Sequence, residues 1–93
     1  MITIYTIQGC PFCRKAITLL KERDIKYKQI LVKQKDKERI KDKNKMSTFP
    51  QIFYGKSLIG GFDDLQFTID ICVDLKDNNI SIRIIKGICK DLN

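Results

Sequence analysis

Histidine and tryptophan are missing from the 93 residues, and proline occurs only twice. The missing histidine excludes Ser-His-Asp and Cys-His catalysis, imidazole acid–base chemistry and every zinc site that needs imidazole. No apolar run approaches the roughly 18 residues of a spanning helix, so no membrane role is expected. Met1 to Thr6 carries no basic leader and its apolar stretch is broken by Thr3 and Thr6. No targeting segment is read there, and the expected location is cytoplasmic. Helix-turn-helix, zinc-finger and aromatic RNA-binding signatures are also lacking. The formal charge of +7 is therefore read as a solvated basic surface, one that attracts anionic partners, and no nucleic-acid role is expected.

The length suits one compact domain, residues 1–93, with a modest core and a function carried in a shallow groove. Residues 2–6 read as a strand by β-branched and aromatic content, and Gln8-Gly9 breaks it. A helix is predicted over 11–22: Pro11 suits a first turn, and Phe12, Ala16, Leu19 and Leu20 repeat at helical spacing. Tyr27 to Val32 reads as a second strand, which makes the first third a parallel crossover unit. Residues 33–45 are the most polar stretch, with Ile40 their single apolar residue, and a helix is predicted over roughly 36–45. Residues 51–54 and 57–60 read as an antiparallel hairpin about Gly55-Lys56. Asp63-Asp64 opens another helix, where acidic residues oppose the positive end of the helix dipole. Leu65, Ile69 and Cys72 mark the inward face of that helix. Beyond it, Ile80, Ile84, Ile88 and Leu92 recur every four residues, and a last helix is predicted in 76–93.

The four cysteines are Cys10, Cys13, Cys72 and Cys89. A thiolate, not a thiol, attacks a disulfide. In Cys10-Pro11-Phe12-Cys13 the first sulfur would sit at a helix start, where unpaired N–H groups favour a thiolate and Arg14 and Lys15 add positive charge. Cys13, one turn further in, could then attack a mixed disulfide formed at Cys10. Half a zinc site is the rival reading, but zinc needs four ligands and the other two cysteines are far apart, so no metal is expected. Cys72 and Cys89 lie on apolar stripes and are read as small apolar core residues, with a regulatory or intermolecular disulfide as the alternative.

Three separated motifs then make the chain resemble a dithiol glutaredoxin over residues 2 to about 75. They are Tyr5-Thr6 followed by Cys10-Pro11-Phe12-Cys13, Thr48-Phe49-Pro50-Gln51-Ile52-Phe53, and Ile59-Gly60-Gly61-Phe62-Asp63-Asp64-Leu65. The resemblance implies an α/β, thioredoxin-like fold: a four-stranded mixed sheet ordered 2-1-3-4 with the last strand antiparallel, flanked by three or four helices. It implies a cis-proline at Pro50, and a glutathione-dependent thiol–disulfide oxidoreductase with Cys10 as nucleophile and Cys13 as resolving thiol. Glutathione would be a cosubstrate, with no tightly bound cofactor. Its site would comprise Phe12, Thr48, Phe49, Pro50, Gly61, Phe62, Asp63 and Asp64. The substrates implied are disulfide-containing or glutathionylated proteins, met by a monomer. Three alternatives accompany this reading: a redoxin driven by thioredoxin reductase, an iron–sulfur cluster carrier, which Pro11 disfavours, and a basic interaction module that uses the lysine-rich stretch with redox activity lost. The family's usual lysine three residues before the first cysteine is Ile7 here, and Gln8, Arg14 or a lysine of 33–45 could take its place.

Overall fold

The computed structural model describes residues 1–78, with side chains through Cys72; the predicted helix in 76–93 and Cys89 lie, apart from its first three positions, outside the described residues. Strand β1, Ile2–Thr6, leads to α1, Pro11–Glu22, and then to β2, Tyr27–Leu31. A 3₁₀ turn at Gln34–Asp36 feeds α2, Lys37–Asn44. The hairpin of β3, Gln51–Tyr54, and β4, Ser57–Gly60, precedes α3, Phe62–Asn78. The sheet order is β2-β1-β3-β4. β1 runs parallel to β2, with Ile2 opposite Tyr27 and Thr6 opposite Leu31. β4 is antiparallel to β3, as expected, but β3 is also antiparallel to β1. The strand reversed against the other three is thus β3 and not the last one. A hairpin must reverse at its turn, so once β3 opposes β1, β4 regains the direction of β1.

Alternation along β1 decides which face is covered. Ile2, Ile4 and Thr6 are buried, while Thr3 and Tyr5 are half-buried. Against Ile2, Ile4 and Ile52 pack Ala16 and Leu20 of α1 and Leu65, Ile69 and Cys72 of α3. Each fully buried Ile or Leu contributes roughly 1.5–3 kcal/mol relative to an exposed one. The other face meets the end of α2: Asn44 reaches Gln51, whose cross-strand partner is Tyr5. Tyr5 also packs edge-on against Phe53, with ring centroids 5.8 Å apart. Among the described residues, no helix is long and apolar enough to cross a membrane.

Two expectations shift. In α1 the buried positions are Cys13, Ala16 and Leu20, so Phe12 is not the first residue of the apolar stripe. It is 52% exposed and leans over the neighbouring groove. Cys72 is 1% exposed within the core, as its stripe implies, but its sulfur is engaged in a disulfide and is not a free apolar thiol.

Candidate active site

Gly9, with φ of 73°, turns the chain after β1 and brings it to the start of α1. The positive φ suits glycine there because no Cβ opposes it. Cys10 is the N-cap of α1, with Pro11 in the first turn. Its Sγ accepts a hydrogen bond from the Cys13 N–H at 3.2 Å, the interaction that a capping Ser or Asp oxygen makes elsewhere. The same sulfur, as a thiol, donates to the Phe49 carbonyl oxygen at 3.7 Å. The helix start and the Phe49–Pro50 segment therefore converge on one atom. Cys10 is partly exposed and Cys13 is 3% exposed; both are free thiols. Burial first, and then the Cys10 sulfur beside it, push the Cys13 thiol up to about 12. A sulfur in this state is a poor nucleophile until it loses its proton.

The Phe49–Pro50 peptide bond is cis, as the resemblance implies. The loop before it is fastened by a residue the sequence reading did not single out. Gln51 is 0% exposed. Its Nε2 donates to the carbonyls of Met46 and Thr48, each at 3.2 Å, and its Oε1 accepts from Asn44 Nδ2 at 2.8 Å. The signal was available only as a polar residue in an otherwise apolar strand. Two of its three partners are main-chain carbonyls, which no side-chain pattern announces.

At the other wall, Asp64 Oδ2 accepts from the Gly61 N–H at 3.1 Å. This closes the first turn of α3 as the back-reaching half of a capping box does. Gly60, at φ of 131°, lies so close to that carboxylate that a Cβ would collide with it. Gly61 has ordinary room, its imagined Cβ meeting only the Pro50 oxygen at 3.8 Å. Of these two adjacent glycines, Gly60 is therefore the one the backbone demands. Of the two aspartates, Asp64 serves the helix, while the Asp63 side chain is exposed and makes no hydrogen bond or ion pair among the described residues.

All eight residues expected to contact glutathione line one groove of about 390 Å³: Phe12, Thr48, Phe49 and Pro50 on one side, Gly61, Phe62, Asp63 and Asp64 on the other. Met46, which the sequence reading missed, joins them. Phe12 and Phe62 bridge the two sides, with centroids 6.3 Å apart. Ile7 and Gln8 lie apart, in a smaller recess of about 250 Å³ that Lys33 and Lys37 share. Among the described residues, no three Cys, Asp or Glu side chains gather as a metal-binding group would require.

Comparison with known proteins agrees with this geometry. The glutaredoxin family model matches residues 2–59. Glutaredoxin 1 of Rickettsia prowazekii (strain Madrid E) is 44% identical over 68 residues, covering 69% of this chain and 72% of its own. The crystal structure of glutaredoxin 1 from Francisella tularensis complexed with cacodylate superposes with a TM-score of 0.70 at 29% identity, over 78% of this chain and 95% of that one. A buckwheat glutaredoxin–glutathione complex superposes with a TM-score of 0.63 over 99% of this chain and 81% of that one. At 15% identity this is a likeness of fold alone.

Proposed function

The chain belongs to the glutaredoxin family of thiol–disulfide oxidoreductases, and from that membership we propose that it works with glutathione, reducing protein disulfides and protein–glutathione mixed disulfides as a monomeric, cytoplasmic, single-domain enzyme. The observation that carries this reading is the convergence of Phe12, Thr48, Phe49, Pro50, Gly61, Phe62, Asp63 and Asp64 on one groove, with the Cys10 sulfur in contact with the Phe49 carbonyl.

The Phe49 main chain pairs with the cysteinyl unit of glutathione. The α3 N-terminus receives the γ-glutamyl carboxylate, and Asp63, left free by the capping role of Asp64, pairs with the ammonium. Lys33 and Lys37, beside Ile7, offer the glycyl carboxylate the positive charge that Ile7 does not. The Cys10 thiolate attacks the glutathionyl sulfur. A Cys10–glutathione disulfide forms, the old sulfur–sulfur bond breaks, and the protein thiolate leaves and takes up a proton. A second glutathione thiolate then attacks the glutathionyl sulfur, releasing oxidised glutathione and restoring the Cys10 thiolate. Alternatively Cys13, once deprotonated, attacks Cys10, releasing glutathione and leaving a Cys10–Cys13 disulfide that two further glutathiones reduce. Burial of Cys13 favours the first route near neutral pH.

The test is turnover of the mixed disulfide of glutathione and mercaptoethanol, coupled to glutathione reductase. Turnover is expected, with KM raised several-fold in Asp63→Asn as one charge-assisted contact weakens. Absence of turnover, together with efficient reduction by thioredoxin reductase, would transfer the protein to the second donor.

A further inference from the structure

A second groove, of about 500 Å³, runs between α1 and α3 on the far side of Phe62. Phe62 is the wall it shares with the glutathione groove. It is lined by Pro11, Arg14 and Lys15 from the first turns of α1, by Leu19 and Glu22 further along that helix, and by Phe62 of α3. The Lys15 ammonium sits 5.0 Å from the centroid of the Phe12 ring, so a positive charge is held at the junction of the two grooves. Among the described residues, the only acidic side chain lining this groove is Glu22, while Asp63 and Asp64 line the other. None of the steps proposed above uses Thr18, Leu19, Glu22 or Gln66.

We propose that this groove is the docking site for the polypeptide that carries the reacting cysteine, and that it selects substrates with acidic residues next to that cysteine. The proposal rests on the glutathione reading only in assigning the first groove to the tripeptide, which leaves the second free for the protein. Arg14 to Glu22 spans about 12 Å of helix, which matches about four residues of extended chain. An Asp or Glu one or two positions from the reacting cysteine meets Arg14 and Lys15. An apolar side chain beyond it covers Leu19 and Phe62. A basic residue in the first position meets like charge and is disfavoured.

The experiment compares two glutathionylated hexapeptides that differ only in carrying Asp-Asp or Lys-Lys beside the cysteine, with the glutathione–mercaptoethanol mixed disulfide as reference. The wild type is expected to favour the acidic peptide by roughly tenfold in kcat/KM, the effect of one or two solvent-exposed charge pairs. The double variant T18E/Q66E, whose two positions are exposed on the helix surfaces, should lose that preference and keep its rate on the reference. Equal rates of the wild type on both peptides, or a preference intact in the double variant, would overturn the proposal. A parallel titration of Cys10→Ser protein with the S-methylated peptides needs no glutathione chemistry. Amide shifts at Thr18, Leu19 and Gln66 with the acidic peptide alone support the groove even where the reference disulfide is not turned over, and no shifts with either peptide overturn it.

Discussion

Cys10 and Cys13 are alike in sequence and opposite in setting. Cys10 caps a helix and is partly exposed, whereas Cys13 is buried behind it with its pKa raised to about 12 from an ordinary 9.0. A thiol whose folded-state pKa is raised stays protonated in the folded chain after the unfolded chain has begun to ionise. Its contribution to stability is complete below pH 9.0 and is lost as pH rises towards 12. The free energy of unfolding in urea should therefore fall between these limits more steeply for the wild type than for Cys13→Ser. Parallel slopes would show that Cys13 ionises alike in both states. The pair itself was legible in the sequence because Cys-Pro-Phe-Cys after a strand has few other uses. The difference in burial between its members was not, since it depends on which face of α1 meets the sheet. The same ambiguity assigned Phe12 to the inward stripe, although it stands one position off the Cys13, Ala16, Leu20 line.

At the scale of elements, α1, the hairpin and the start of α3 were readable because Gly, Pro and paired Asp punctuate them. The helix predicted over 36–45 is α2, Lys37–Asn44, to within a residue at each end, but the turn leading into it was not readable. Residues 33–45 offer a single apolar contact, Ile40, so periodicity could not distinguish the 3₁₀ turn at Gln34–Asp36 from the helix that follows. The loop from α2 to β3 was equally hidden, because Gln51 holds it through main-chain carbonyls. Gln51→Leu removes both donors and leaves the Met46 and Thr48 carbonyls and the Asn44 amide facing an apolar side chain. A stability loss of about 1–3 kcal/mol is expected from such stranded polar groups. Because the same loop carries Thr48 and Phe49 into the groove, KM for a glutathionyl substrate should rise more than kcat falls. A fall in stability with KM unchanged would confine Gln51 to a structural part and detach the loop from binding.

Across the whole molecule, acidic and basic groups are unevenly distributed. The chain carries +7 overall, yet the groove proposed for glutathione presents Asp63 and Asp64, and the groove beside it Arg14 and Lys15. A small zwitterionic ligand responds mainly to the first pair at contact range. An acidic protein responds to the summed field, which acts over about a Debye length, roughly 10 Å at 0.1 M salt and 3 Å at 1 M. Net charge was visible in the composition, but its division between two grooves separated by one phenylalanine was not, because it depends on α1 and α3 lying side by side. The two kinds of substrate should therefore part company as salt is raised. Between 0.05 and 0.5 M sodium chloride, kcat/KM for an acidic glutathionylated protein should fall by about an order of magnitude through slower encounter, while the rate on the glutathione–mercaptoethanol disulfide changes little. Equal salt dependence for both would mean that the field acts on glutathione itself, and that the charge of the protein substrate has no part in its selection.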